Sequence, residues 1–206
     1  SWNPYSLLSG TFSLSDLMFD SLVLKLSNEE GAQTNSVADV IAMFSFEVLP
    51  LPIRINNLRF DDIVVDGSQR YAAQFLSASL ELSQQNLQLD RLEFSADTIQ
   101  FEGSLSAVLV SRIPVATTLE WQYSGLIYEG IESASGRLSI TGDLGSLNIQ
   151  HQLHTPVQIQ SAGTIQDPFA GALSHIDLSH SAPELILPID ALQQTVLSNV
   201  ALQTTM

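Results

Sequence analysis

One pattern recurs along this chain: an apolar residue, any residue, an apolar residue, any residue, glycine, any residue and an apolar residue. It occurs as Ile99-x-Phe101-x-Gly103-x-Leu105, Trp121-x-Tyr123-x-Gly125-x-Ile127, Leu138-x-Ile140-x-Gly142-x-Leu144 and, with a serine at the second place, Ile159-x-Ser161-x-Gly163-x-Ile165. A period of two places one set of side chains on one face of a strand. Glycine in that register indicates a bulge, bend or turn where the sheet curves. The repeat of about twenty residues predicts stacked antiparallel hairpins.

The apolar faces of these strands need a partner. Antiparallel sheets can leave their polar face in water, but an apolar face is covered by a second sheet, by closure of the sheet or by a ligand. Repeated glycines in one register permit continuous bending. We therefore predict an all-β fold, a long curved antiparallel meander that forms an apolar-lined groove (a β-taco) with one short helix. A closed sandwich is the alternative.

Three segments depart from simple alternation. Residues 10–27 carry two alternating runs with a polar junction, which predicts an opening hairpin. A change of phase at Asn56-Asn57 indicates a bulge. Residues 36–45 have apolar side chains at helical spacing, so we predict a helix there. This helix can cover an end of the sheet or lie on a membrane surface, and its lack of basic residues favours the first.

The composition excludes several classes of function. The chain has 206 residues and a formal net charge of −15, which repels phosphate backbones and so excludes nucleic-acid binding. It has no cysteine, which excludes disulfides, thiolate metal sites and thiol catalysis. No apolar run approaches the roughly eighteen residues that a membrane-spanning helix requires.

No catalytic or metal-binding constellation is visible in the sequence. His151 and His154 lie three residues apart, which on a strand points them to opposite faces, and His175 and His180 lie five apart. The serines lack a nucleophile-elbow context, and the adjacent carboxylates at Asp61-Asp62 suit a turn better than an acid–base pair. Trp121 and Tyr123 share a face that can bind carbohydrate, although packing within the sheet is favoured. We predict no enzyme activity, no cofactor and no metal.

Several phrases of the chain resemble the TamB family and the wider AsmA-like group of periplasmic proteins. The phrases are Ser1-Trp2-Asn3-Pro4-Tyr5-Ser6-Leu7-Leu8-Ser9-Gly10, Leu49-Pro50-Leu51-Pro52-Ile53-Arg54-Ile55-Asn56-Asn57-Leu58 and Gly136-Arg137-Leu138-Ser139-Ile140-Thr141-Gly142-Asp143-Leu144 with the downstream Gln150-His151-Gln152-Leu153 and Pro156. The resemblance extends over most of the chain. The anchor helix and the C-terminal domain of the family have no counterpart in it.

The resemblance implies a periplasmic protein of a Gram-negative bacterium, held at the inner membrane by a segment outside this chain. It implies a segment of a bridge that shields or conducts phospholipid acyl chains towards the outer membrane and supports outer-membrane biogenesis. A further implied partner is an outer-membrane β-barrel that binds through other regions. We expect residues 1–206 to form a single elongated β domain and to be a piece of a longer protein. The alternative is a structural or protein-binding β-sandwich module.

A conduit would place one set of apolar side chains on a concave interior that contacts acyl chains. Exposure of each methylene to water costs about 0.8 kcal/mol, and a lined groove removes that cost. The predicted lipid-groove residues are Leu76, Leu80, Ile99, Phe101, Leu105, Leu109, Leu138, Ile140, Leu147, Ile149, Val157 and Ile159.

Overall fold

The computed structural model describes residues 4–25, 51–66, 70–110, 112–128, 131–168, 174–187 and 195–205. Within these ranges the chain consists of one short 3-10 helix, Pro4–Ser9, and twelve β-strands. The all-β prediction is therefore confirmed. The helix predicted over residues 36–45 lies outside the described residues. The chain divides into two compact units, Ser1–Ile113 and Pro114–Met206, and whether they act as the single predicted domain stays a prediction.

The described residues of the first unit form six strands. They are β1 (Phe12–Phe19), β2 (Leu22–Lys25), β3 (Ile53–Asp66), β4 (Arg70–Ser83), β5 (Asn86–Ser95) and β6 (Ile99–Val108). The strands β3, β4, β5 and β6 pair in sequence order as antiparallel neighbours. Alternating apolar residues and short polar turns produce this meander, as the sequence predicts.

The prediction of an opening hairpin over residues 10–27 is wrong. Strands β1 and β2 do not pair with each other; both run parallel to β3, with Phe12 opposite Ile53 and Leu22 opposite Ile63. The polar junction at Asp20-Ser21 interrupts the strand without reversing the chain. A parallel pair needs a connection of a dozen or more residues, and the segment between Lys25 and Ile53 is long enough to supply it.

Two bulges in the first unit flank the same position of β4. The predicted bulge at Asn56-Asn57 is confirmed, since the β3–β4 register shifts between Ile55 and Leu58. A second shift lies in β5 between Leu89 and Leu92, where Arg91 has a φ of 51°. The Arg91 guanidinium donates a hydrogen bond to the carbonyl of Asn56 at 3.0 Å. The two bulges are thereby joined across β4, and bulges of this kind bend the strands that carry them.

The second unit, where the structure describes it, is also a meander of six strands. They are β7 (Val115–Tyr128), β8 (Ile131–Asp143), β9 (Ser146–Thr155), β10 (Ile159–Gln166), β11 (His175–Leu187) and β12 (Thr195–Thr205). Each pairs antiparallel with the next. The Asp143 carboxylate accepts hydrogen bonds from the backbone amides of Gly145 and Ser146 at 2.8 and 3.2 Å, which closes the β8–β9 turn.

Two of the four glycines of the repeated pattern, Gly142 and Gly163, lie where neighbouring backbones approach closely. A Cβ atom at Gly163 would meet the carbonyl of Asp177 on β11. Gly142 has a φ of 138°, which L-residues with side chains rarely adopt, and a Cβ there would meet the carbonyl of Ser146. At these two positions glycine is required by close approach between strands and, at Gly142, by the turn that follows.

The described strands of each unit form a single layer. The described strands of a unit contact the strands with which they share hydrogen bonds. No large side chain among the described residues is completely buried, and the most buried apolar ones include Ile55 (8% exposed) and Leu82 (9%). A sandwich of two sheets would bury the side chains of its inner faces. Within the described ranges, neither unit by itself forms the β-sandwich that was the alternative prediction.

Candidate functional site

The strand registers of the first unit assemble one continuous apolar face. Residues paired across neighbouring strands lie on the same face, so the registers identify its members. We call this the first apolar face; its paired positions hold Phe12, Leu14, Leu17, Phe19, Ile53, Ile55, Leu58, Phe60, Leu76, Ala78, Leu80, Leu82, Leu87, Leu89, Leu92, Phe94, Phe101, Leu105 and Ala107. None of these positions holds a charged residue.

Aromatic pairs reinforce the first apolar face. The rings of Phe19 and Phe60 stack with centroids 4.8 Å apart, and those of Phe94 and Phe101 with centroids 4.7 Å apart. Such cross-strand pairs stabilise a sheet beyond the area that they bury. Most side chains of the face are half-buried, and Phe19 is 42% exposed. The face therefore retains apolar surface in contact with solvent.

The opposite face of the first unit carries its charged pairs, together with a smaller apolar group of Ile63, Ala73 and Phe75 on β3 and β4. Arg54 forms an ion pair with Glu81 at 2.9 Å, and both side chains are largely exposed. Arg59 pairs with Asp61 at 2.9 Å and lies over the ring of Phe75 at 4.4 Å. Exposed ion pairs contribute little to stability, so these residues mainly keep this face hydrated. The ion pairs thus distinguish this face from the first apolar face.

The second unit carries a corresponding apolar face. The paired positions of this second apolar face hold Val115, Leu119, Trp121, Tyr123, Ala134, Leu138, Ile140, Leu147, Ile149, Leu153, Ile159, Ile165, Ile176, Leu178, Ala182, Val200 and Leu202. These positions hold no aspartate, glutamate, lysine or arginine, and Glu184, which pairs with Ser198, lies beyond them on the same face of β11. They do include polar side chains, which form a separate feature.

A row of polar side chains crosses the second apolar face at right angles to the strands. This polar row consists of Trp121, His151, Ser161, His180 and Thr204, on β7, β9, β10, β11 and β12. The Trp121 indole donates to His151 Nε2 at 3.2 Å, and the two rings stack with centroids 5.7 Å apart. His180 contacts the Ser161 hydroxyl through Nδ1 at 2.8 Å and the Thr204 hydroxyl through Nε2 at 3.1 Å. Hydrogen bonds within the row thus provide partners for polar side chains that lie on an otherwise apolar face.

Gly136 makes the start of the row possible. It lies on β8 between Trp121 and Leu153, and a Cβ atom there would come 2.9 Å from Trp121 Nε1. Because glycine leaves this space open, the indole extends over β8 and reaches His151 on β9. Sequence reasoning missed the row, since its members are far apart in the chain. The alternation of His151 with Ile149 and Leu153 was the available signal that this histidine lies on the apolar face.

The predicted lipid-groove residues fall mainly on the two apolar faces. The first face contains Leu76, Leu80, Phe101 and Leu105, and the second contains Leu138, Ile140, Leu147, Ile149 and Ile159. Ile99 begins β6 and is 39% exposed. Leu109 follows the end of β6, and Val157 lies in the bend between β9 and β10, so neither belongs to a paired position. Their contact with lipid stays a prediction.

Sequence reasoning also omitted whole strands from both faces. The apolar residues of β1, β3, β5, β7, β11 and β12 complete the faces, although none of the predicted groove residues comes from these strands. Their alternation was visible in the sequence. The bulges in β3 and β5 shift the alternation by one residue. Leu58 therefore shares a face with Ile55, and Leu92 shares a face with Leu89, although each pair is three residues apart.

The histidines do not form a metal site in the part of the chain that the structure describes. His154 and His175 lie on the face opposite to His151 and His180, and no group of three or more potential ligands is placed to hold a metal ion there. No helix within the described ranges is long and apolar enough to cross a membrane.

Burial lowers the pKa of His151, and the nearby imidazoles of His154 and His180 lower it further. The Trp121 indole also needs an acceptor at Nε2, which only a neutral ring offers there. His151 is therefore neutral at pH 7, with its proton on Nδ1.

We expect the stability of the fold to fall in mild acid because of His151. Its folded-state pKa lies below the ordinary 6.5, so the unfolded chain binds the proton more readily. This contribution is complete above about pH 6.5 and is lost as the pH falls through the folded-state value. Urea denaturation at about pH 8 and about pH 5.5 measures the loss.

The matched variants are His151→Gln, which keeps an acceptor for Trp121, and His175→Gln on the opposite face. The wild-type loss of unfolding free energy between the two pH values should shrink in the first and persist in the second. An identical loss in all three proteins would contradict the assignment.

The two units thus define a class of protein: all-β chains whose single-layer sheets carry one extended apolar face and one polar face. A family model described as the TamB N-terminal domain matches residues 23–205. The chain belongs to the TamB family. No curated protein and no solved structure gives a significant match.

Members of this family are periplasmic and membrane-anchored in general, and they serve in the translocation and assembly module as bridge-like components rather than as enzymes. The resemblance seen in the sequence is confirmed at the level of the family.

Proposed function

We propose that the two apolar faces contact the acyl chains of phospholipids, and that the chain is a segment of a periplasmic bridge between the inner and outer membranes. The observation that carries the proposal is the extent of each face. In each unit a continuous set of apolar paired positions extends across five or more strands, and most of their side chains are half-buried rather than sealed in a core. Soluble monomers rarely leave a continuous apolar patch of this kind uncovered.

Hydrocarbon chains fit such a face for a simple energetic reason. Each methylene removed from water contributes about 0.8 kcal/mol, whatever its orientation on the surface. An acyl chain can therefore slide along an apolar sheet without breaking directional contacts. The polar face opposite keeps the segment hydrated in the periplasm. Anchoring in the inner membrane and the outer-membrane β-barrel partner, both through regions outside this chain, belong to the same proposal.

The test is site-specific photo-crosslinking in cells. A photoreactive phenylalanine analogue replaces Phe101 or Leu105 on the first apolar face, or Ile140 or Ile149 on the second. The matched controls carry it at Gln100 or Glu102, which lie on the opposite face of β6. We expect lipid to be attached at the apolar positions and not at the controls, as measured by mass spectrometry of the purified chain.

Two results would count against the conduit. Equal lipid capture on both faces, or none on either, would remove the support for a lipid-facing surface. Capture of one defined protein at the apolar positions, without lipid, would favour the protein-binding alternative instead.

A further inference from the structure

The polar row has no role in a surface that contacts hydrocarbon alone. Acyl chains offer no hydrogen bonds, and polar groups on a face that they cover lose contact with water. Yet five strands of the second unit each contribute a member of the row, and Gly136 leaves space for one of them. The row extends over about 24 Å at ordinary strand spacing. A ligand that carries a polar group could form hydrogen bonds with the row, which hydrocarbon cannot.

The protonation state of His180 determines which hydroxyl hydrogens of the polar row can donate to a ligand. Its two ring nitrogens contact the hydroxyls of Ser161 and Thr204. When the ring is neutral, one nitrogen is an acceptor, so one hydroxyl must direct its hydrogen towards the ring. When the ring is protonated, both nitrogens donate and both hydroxyls accept. The hydrogens of Ser161 and Thr204 are then both available to an outside acceptor beside a positive charge.

The surroundings of His180 contain little that would neutralise this charge. On the same face, β7 contributes the phenol of Tyr123 and β9 contributes His151, while the paired positions of β8, β10 and β12 contribute no ionisable group. Glu184 is exposed and lies about 13 Å further along β11. The Asp177 carboxylate lies on the opposite face and accepts a hydrogen bond from Gln203 at 3.1 Å. An anion approaching the row therefore meets no nearby carboxylate on that face among the described strands.

We propose that the polar row binds the phosphodiester of an amphiphile whose acyl chains lie on the second apolar face. Imidazolium at His180 supplies the positive charge, and the hydroxyls of Ser161 and Thr204 donate to phosphate oxygens. The two hydroxyls lie at opposite ends of the His180 ring, so each can donate to a different oxygen of one phosphate. This proposal rests on the proposed function, since it adds a head-group site to the acyl-binding surface.

Isothermal titration of the purified chain tests the proposal with three probes at about pH 6 and about pH 8. The probes are dioctanoyl-phosphatidylglycerol, dioctanoylglycerol with the same acyl chains but no phosphate, and inorganic phosphate. We expect the phospholipid to bind about tenfold more tightly at the lower pH, because a charge-assisted hydrogen bond is gained. Dioctanoylglycerol should bind equally at both.

His180→Gln should remove the pH dependence for phospholipid while leaving the affinity for dioctanoylglycerol unchanged. The matched control is the double variant His154→Gln/His175→Gln, which removes two histidines from the opposite face and should retain the pH dependence. As a second measurement, the NMR chemical shift of the His180 ring protons should change when the phospholipid binds. It should not change with dioctanoylglycerol.

The outcomes separate this proposal from the proposed function. Equal binding of phospholipid and dioctanoylglycerol at both pH values would overturn the head-group site and leave acyl binding intact. Binding of neither lipid would overturn both. If inorganic phosphate binds as tightly as the phospholipid, with the same dependence on His180, the row is a site for free phosphate. That result would overturn the assignment of an amphiphile as its ligand.

Discussion

Ile140→Asp is expected to abolish lipid capture by the second apolar face while the sheet still forms. Ile140 lies at the centre of this face, opposite Ile149 on β9 and Thr117 on β7. A carboxylate there would have to lose its water when an acyl chain covers it, and burial of an unpaired charge costs several kcal/mol. With the photoreactive analogue at Ile149, captured lipid should fall about tenfold or more. The half-buried position lets the carboxylate reach solvent when no lipid is present.

The matched control for this substitution is Thr141→Asp on the same strand. Thr141 is exposed on the opposite face, where it pairs with Ala116 and Asn148, and it receives the same charge change. Lipid capture should remain near the wild-type level. Far-UV circular dichroism of both variants should retain the strand spectrum. If lipid capture falls equally in both variants, the effect is due to net charge. If only Ile140→Asp loses the strand spectrum, the face is a sealed core.

The first apolar face offers an independent version of the same experiment. Phe101→Asp, with the photoreactive analogue at Leu105, should also lose lipid capture, whereas Gln100→Asp should not. Phe101 additionally stacks on Phe94, so this variant should be less stable by about 1 kcal/mol from the lost aromatic pair. A lipid effect in one unit only would restrict the acyl-binding surface to that unit.

Gly163→Ala is expected to destabilise the second unit by roughly 1–3 kcal/mol. Gly163 pairs with Ile149 on one side and Leu178 on the other, and an added Cβ would meet the carbonyl of Asp177. Backbone atoms of a paired strand cannot move aside as a flexible side chain can, so β10 and β11 must separate locally. For a unit of this size the change corresponds to a fall in Tm of about 5–15 °C by differential scanning calorimetry.

Gly145→Ala is the matched control for this second prediction. A Cβ at Gly145 would meet only the end of the Asp143 side chain, at 3.3 Å, which can shift. Its Tm should stay within a few degrees of the wild type. Equal Tm values for Gly163→Ala and the wild type would show that β10 and β11 are not held as closely as described.

Alternation alone was sufficient to predict the class of fold and much of the two apolar faces. Leu76, Leu80, Phe101 and Leu105 alternate with polar residues, and a period of two leaves no other way to bury them together. The bulge at Asn56-Asn57 was also predictable, because the phase of the alternation changes there. These properties are local, and local sequence determines them.

Long-range pairing decided the rest. Two alternating runs joined by a polar junction suit a hairpin as well as two consecutive strands along β3, and only the pairing with residues far along the chain separates these possibilities. The polar row depends on the same kind of information. Trp121, His151 and His180 become neighbours through the registers of β7 to β11, in which a shift of one residue would turn a histidine to the other face. Sequence determined which side chains alternate; tertiary structure decided which of them meet.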